Sequence, residues 1–327
     1  MKKIQILMST YNGEKYLREQ IDSILEQDCE RFGKAEIKLL VRDDCSKDTT
    51  LDILKEYADN YPDKIQYYQG ENAGVIKSFF ELIQKADDTA DYYALADQDD
   101  YWMPGKLSAG IDKIEDMRSN VTDKKFKTPL LYCCKPKLVD ENLMELEICV
   151  DRPAMRPDFR NALIENIVTG CTTVFEKDMR QMIIEQLPKY TTMHDRWFYL
   201  IATCFGKIYY DEESYICYRQ HGGNVVGKNT NRLSEIKYRI KKVSADSTSS
   251  SRQAVEFKRV FGKEIEARCN NGSDKTRMKQ NKIMLENFIF GKKSFVTRLS
   301  LIKKGRIFRQ RKNDNLIFKV MIALNMY

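Results

Sequence analysis

The residues that could do chemistry gather first at Ala94-Leu95-Ala96-Asp97-Gln98-Asp99-Asp100-Tyr101-Trp102. Tyr92 to Ala96 is an apolar run of the kind that fills the middle of a parallel sheet, and it ends abruptly in three carboxylates. Carboxylates at the C-terminal end of a buried strand stand where open α/β sheets bind ligands. Hard oxygen donors held there suit Mg²⁺ or Mn²⁺ bridging a diphosphate better than they suit zinc. A second pair, Asp43-Asp44, closes the run Ile37 to Arg42, and Met193-His194-Asp195 opens an apolar helix. His221 follows the last strand pattern in Gln220-His221-Gly222-Gly223-Asn224. Each has a plainer reading. A lone D-x-D is usually a solvated acidic turn, an acid at a helix start is a cap, and a loop histidine is a surface residue.

What lifts these residues above those readings is the set of elements that must position them. Lys3 to Ser9 runs apolar into the turn Thr10-Tyr11-Asn12-Gly13, after which Leu17, Ile21, Ile24 and Leu25 recur at helical spacing. The unit repeats: Ile37 to Arg42 leads through Asp48-Thr49-Thr50 into a helix with Leu51, Leu54 and Tyr57. It repeats again, with Ile65 to Tyr68 and then Ile76, Phe79, Phe80 and Ile83. Three such units and a fourth strand predict a right-handed, mostly parallel α/β sheet flanked by helices, its loops gathered on one edge. Further strands are expected at Leu130 to Cys134, Val168 to Phe175 and Tyr215 to Arg219, with a helix over about 178–187. No G-x-G-x-x-G follows the first strand and no P-loop occurs, so carboxylates are left to handle a nucleotide.

Composition limits the class. With 42% hydrophobic and 31% charged residues, and no apolar run near the roughly 18 residues of a membrane span, the chain reads as a globular protein. Nine scattered cysteines without a C-x-x-C pair suit neither a disulfide framework nor a zinc site, and the simplest compartment is a reducing cytoplasm. From about residue 227 lysine and arginine rise, Ser244 to Ser251 forms a polar break, and only helical spacing follows. The expected division is therefore a catalytic domain over 1–226 and a basic helical region over 227–327. No acid lies between Glu286 and Asp314, an interval with Lys292, Lys293, Arg298, Lys303, Lys304, Arg306, Arg309, Arg311 and Lys312 among apolar residues. Such a helix suits an anionic membrane surface, or equally a solvated basic face packed on the catalytic domain; no nucleic-acid signature is present.

On these residues the chain resembles family 2 glycosyltransferases of the GT-A fold, and more narrowly the rhamnosyltransferases of bacterial cell-wall polysaccharides. The matching motifs are Ser9 to Gly13, Arg42 to Ser46, Asn72-Ala73-Gly74 through Phe80, Ala96 to Asp100, Val168-Thr169-Gly170-Cys171, Met193-His194-Asp195 and Tyr218 to His221. They cover about the first 225 residues, in the family's order. The resemblance implies that Thr10, Tyr11 and Asn12 line the nucleotide pocket with Lys77, and that Asp44 accepts from a pyrimidine N3. It places Asp97 near the ribose, Asp99 on a Mn²⁺ or Mg²⁺ ion with His221 completing the contacts, and Asp195 as catalytic base. Arg196 departs from the pattern, since related sequences often carry an aromatic or apolar residue there, and this bears on acceptor specificity.

The implied reaction is an inverting transfer from a nucleotide-sugar, first dTDP-rhamnose and next UDP-glucose or UDP-galactose, to a glycan or lipid-linked glycan at the inner membrane face. Two rivals stand beside it. A nucleotidyltransferase would need a glycine-rich basic loop, of which Thr10 to Lys15 is a poor version. A non-catalytic polysaccharide-assembly scaffold would not need intact acids at Asp44, Asp97, Asp99 and Asp195.

Overall fold

The computed structural model describes residues 1–146, 153–221, 232–303 and 306–327, and only the backbone over 232–248. Three strand-and-helix units open the chain: β1 (Lys2–Thr10), α1 (Leu17–Leu25), β2 (Ala35–Asp43), α2 (Thr50–Asn60), β3 (Ile65–Gln69) and α3 (Val75–Lys85), followed by β4 (Tyr92–Ala96). β1 sends Ile4, Ile6 and Met8 into one core and Leu7 into another, because helices cover both faces of the sheet. It pairs in parallel with β2, Thr10 opposite Asp43, and with β4, Met8 opposite Ala96. Thr10, Asp43 and Asp97 therefore leave three neighbouring strands at one edge.

The chain continues through β5 (Tyr101–Trp102), α4 (Lys106–Ser119), β6 (Leu130–Cys134), β7 (Lys137–Val139), α5 (Phe159–Ala162), β8 (Thr173–Glu176), α6 (Lys177–Glu185), α7 (His194–Phe205), β9 (Lys207–Asp211) and β10 (Ile216–Arg219). The main sheet has seven strands in the order β3-β2-β1-β4-β8-β6-β9, with β8 antiparallel to both neighbours. A small sheet, β5-β10-β7, pairs Trp102 with Ile216 and so brings the acid turn at 97–100 against the strand that leads to His221.

The strand expected over Val168 to Phe175 is shorter than its pattern. Gly170–Thr172 form a 3₁₀ turn and only Thr173–Glu176 pair. The Thr172 and Thr173 hydroxyls donate to the Thr169 and Gly170 carbonyls at 2.7 Å, offering the backbone local bonds in place of a ladder.

Beyond Arg219 the described residues form helices only: α8 (Arg232–Asn271), α9 (Lys275–Phe290), α10 (Phe295–Ile302) and α11 (Lys312–Ala323). The serine-rich stretch expected as a break lies inside α8. Serine costs a helix only a few tenths of a kcal/mol per residue, and Ser250 is fully buried with its hydroxyl accepting from Arg196. Phe257 and Phe261 of α8 pack on Trp197 and Phe205 of α7, with ring centroids 5.5 Å apart for Trp197–Phe257 and 5.2 Å for Phe205–Phe261. Burying each such ring contributes about 1.5–3 kcal/mol. The C-terminal helices thus extend the core on the α3, α6 and α7 face, while α1, α2 and α4 cover the other. The boundary drawn at 226/227 lies outside the described residues.

Candidate active site

The acid turn after β4 is shaped by a buried arginine. Arg219, 2% exposed, donates its backbone N–H to Asp100 Oδ1 at 3.2 Å and its Nε–H to the Asp99 carbonyl at 2.8 Å, and its guanidinium pairs with Glu19. The last residues of β10 therefore set the geometry of the turn. Two residues on, His221 Nε2 lies 2.7 Å from Asp99 Oδ2, and both side chains keep access to solvent. Asp99 and His221, 122 residues apart, are brought together. Asp97 is half-buried beside Asp100 and Cys171, their ligating atoms within 4.8 Å of one another. Loss of hydration and the charge of Asp99 push the Asp97 carboxyl upward. Burial holds the Cys171 thiol well above its usual range, so it stays protonated.

A carboxylate and an imidazole side by side, with a further carboxylate next to them, are donors that fit Mn²⁺ or Mg²⁺. Asp100 Oδ2 is buried without a hydrogen-bond partner, but the ammonium of Lys106 lies in the same buried region. Lys106 is fully buried with its Nζ 3.2 Å over the Trp102 ring and without a hydrogen-bond partner, and it is held down to about 8 by burial against the pull of the nearby acids Asp100 and Asp97. Neither Lys106 nor Arg219 stood out as a functional residue in the sequence; each acts through partners far away in the chain.

The loops after β1 and β2 are clamped to one another and to the acid turn. Gln98, the middle residue of the D-x-D, accepts from Tyr11 N at 2.8 Å and donates to Tyr11 O at 3.0 Å. Asn12, at φ 49°, accepts from Lys47 N at 2.8 Å and donates its backbone N–H to Ser46 Oγ at 2.9 Å. The Thr10 hydroxyl donates to Asp43 Oδ1 at 3.1 Å. Tyr11 is 47% exposed on the rim this creates. Asp44, 4% exposed, accepts from Arg42 Nη1 at 2.5 Å and from the backbone N–H groups of Ala73 and Gly74 at 2.8 and 2.9 Å. Burial would raise its carboxyl, but these bonds outweigh that and hold it below its usual value. Thr10, Tyr11, Asn12, Asp44, Asp97, Asp99 and His221 thus share one edge of the sheet. Lys77 is exposed in the first turn of α3, whose N-cap Gly74 donates to Asp44, and its side chain makes no hydrogen bond or ion pair among the described residues.

Asp195 arrives from α7, whose first turn is wholly buried. Its Oδ1 accepts from Asn166 Nδ2 at 2.9 Å and its Oδ2 from Gly170 N at 3.1 Å. Burial pushes it up to about 6 despite bonds from Arg196, Gly170 and Asn166. Gly170, which holds it, is followed by Cys171 beside Asp97 and Asp100, so Asp195 belongs to the same end of the sheet as the acid turn. The N-cap, Met193, has no side-chain bond, and the Asp195 carboxylate takes the backbone N–H of Arg196 in the first turn, so it serves the helix start as well as Gly170 and Asn166. Asn166 had no signal in the sequence.

Beside it, His194 is 3% exposed, both ring nitrogens lack partners, and the ring packs on Phe79 at 4.1 Å. Burial drives it down to about 3, so it is a neutral imidazole. A Cβ at position 170 would lie 2.7 Å from His194 Nε2, so the backbone that holds Asp195 can approach only because that residue is glycine. Arg196, also buried, donates to Ser250 Oγ at 2.6 Å and joins this helix start to α8.

Residues 5–128 match the family model for glycosyl transferase family 2. Among curated proteins the chain is similar to a dTDP-rhamnosyl transferase of Shigella flexneri, RfbG, with 29% identity over 232 residues covering 68% of this chain and 74% of the relative. It is also similar to an uncharacterised glycosyltransferase of Rickettsia typhi, with 27% identity over 244 residues covering 71% of this chain and 68% of the relative. Among solved structures it is similar to residues 1–349 of Staphylococcus aureus TarS in complex with UDP, with a TM-score of 0.51 and 14% identity over 99% of this chain and 89% of that one. That likeness is one of fold.

Proposed function

From the premise that this chain is a glycosyltransferase carrying a family 2 domain on the GT-A fold, we propose that it performs an inverting, metal-dependent transfer of L-rhamnose from dTDP-L-rhamnose. The acceptor is a glycan in cell-surface polysaccharide synthesis. The observation that carries the chemistry is Asp195, a buried carboxylate oriented by Asn166 and by Gly170, the neighbour of the Cys171 that sits beside Asp97 and Asp100. The choice of donor rests on the likeness to the Shigella flexneri dTDP-rhamnosyl transferase.

In this reading the nucleotide lies over the first two loops. Thr10, Tyr11 and Asn12 form its rim, Asp44 presents a fixed oxygen edge to the pyrimidine N3, Lys77 reaches in from α3, and Asp97 meets the ribose. Asp99 and His221 would hold the divalent cation, which when bound would supply positive charge to offset that building on the departing diphosphate. The acceptor hydroxyl gives its proton to Asp195 as its oxygen attacks the anomeric carbon from the face opposite the diphosphate. One displacement inverts that centre. A base at about 6 is ionised at neutral pH yet more proton-hungry than a surface aspartate, which is what general-base work needs. Asn166 and Gly170 each take one carboxylate oxygen and leave further lone pairs for the acceptor.

The acceptor in this proposal is lipid-linked and met at the inner membrane face. No helix among the described residues is long and apolar enough to cross a membrane. The experiment is thermal stabilisation by nucleoside diphosphates with and without Mn²⁺, since a ligand at a hundred times its Kd adds about 2.7 kcal/mol. Metal-dependent stabilisation by dTDP is expected. Stabilisation by UDP alone would move the donor to UDP-glucose or UDP-galactose, and none with any diphosphate would overturn the reading.

A further inference from the structure

Residues 287–327 carry ten lysines and arginines against one acid, Asp314. The whole chain has a net charge of +7, so this stretch holds all of the positive excess and the remainder is slightly acidic. Charge so concentrated makes a local field rather than a solubility background.

Within the stretch α10 and α11 pack against each other, and each is apolar on two sides. Leu301 of α10 and Phe318, Met321 and Ile322 of α11 enter the core. On the outward side Phe295, Val296 and Leu299 are 57%, 77% and 40% exposed. Leu316, Val320 and Leu324, spaced by four along α11 and its C-cap, are 66%, 51% and 64% exposed. Folding of the chain explains the first set and not the second. Lys292 and Lys293 stand exposed just before α10, Lys303 just after it and Lys312 at the start of α11. Exposed apolar side chains on two helices flanked in sequence by exposed lysines, with almost no acid, are complementary to anionic headgroups over acyl chains.

We propose that the α10–α11 surface docks on an anionic bilayer, the six outward apolar side chains entering the headgroup boundary and the lysines resting on phosphates. This does not depend on the catalytic reading, but it gives that reading a geometry. The segment joining the two helices is tied to the segment behind the candidate base: Asn161 Nδ2 donates to Phe308 O at 2.9 Å, and Gln310 N to Glu165 Oε2 at 2.8 Å. Asn166, the next residue, donates to Asp195. A membrane held by α10 and α11 would therefore lie at a fixed orientation to Asp195.

Leu301, Ile307, Phe318 and Tyr327 are core residues, so truncation would not test the surface alone, and point variants of the full chain are needed. The measurement is flotation with vesicles of phosphatidylcholine alone or mixed with phosphatidylglycerol, at rising salt. The full chain should float with the anionic vesicles, not the neutral ones, and release as salt rises. Combined Val296→Glu, Leu316→Glu and Val320→Glu substitutions, and separately Lys292→Glu with Lys293→Glu, should each weaken binding about tenfold or more. The variants should keep the parent's melting temperature and its response to nucleotide, which separates failure here from failure of the catalytic proposal. Three outcomes would overturn the inference: no binding of the parent to anionic vesicles, variant binding equal to the parent's, or a parent dimer without vesicle binding that the Glu variants make monomeric.

Discussion

Asp195 and His194 are adjacent, equally buried and displaced in opposite directions, and that contrast sets what pH should do. Burial raises Asp195 to about 6, so the proposed base loses its charge as pH falls through that value. The rate of transfer should show an acid limb near pH 6 and drop tenfold per unit below it, and a limb near pH 4 would mean the base is a more ordinary carboxylate. His194 is lowered to about 3 from 6.5. Below about 6.5 the unfolded chain takes up a proton that the folded one refuses, so this residue costs stability progressively as pH falls from 6.5 toward 3. Asp195 works the other way, favouring the folded state as it protonates. A His194→Leu variant should therefore lose less stability than the parent between pH 7 and pH 5 in paired denaturant melts. An equal loss would show that the imidazole is not held neutral in the fold.

At the scale of elements, the clamp between loops matters most. A Cβ at position 13 would lie 2.2 Å from Gln98 Oε1, the atom that accepts from Tyr11. Gly13→Ala should push Gln98 off the first loop, cost about 1–3 kcal/mol in the melt and weaken nucleotide binding. Unchanged binding would mean that the first loop does not form the nucleotide rim. Here too lies the division between what the sequence made legible and what it hid. β1, β2 and β4 were readable because helices cover both faces, so their apolar runs are continuous, and the acids that end them mark the sheet edge. β5, β7 and β9 are short or only half-apolar, and β8 lost part of its run to threonine and glycine bonding. The acids and His221 were visible by type and place. Gln98 and Arg219 lay inside matching motifs without a role of their own, and Asn166 and Lys106 carried no signal, because the work of all four is defined by partners up to 200 residues away, as in the pair of Arg219 with Glu19.

For the molecule as a whole, the strand-bearing part and the C-terminal helices share one core on the α7 face, where Phe257 meets Trp197, Phe205 and Phe159. Phe257→Ala should cost about 3–5 kcal/mol and lower a single calorimetric transition. Two separable transitions would mean that the helical region folds by itself. The Arg196–Ser250 bond ties the start of the α7 helix to the same region, so the departure noted at Arg196 acts as a strut between the candidate base and α8.

The central claim is that Asp195 takes the acceptor's proton in transfer from a nucleotide-sugar. The measurement that bears on it most directly is diphosphate release from dTDP-L-rhamnose by the parent and by Asp195→Asn, with metal-dependent dTDP binding recorded on the same samples. The account predicts that the variant binds dTDP as the parent does while turnover falls by about 10²–10⁴. Parent-like turnover in the variant would contradict it.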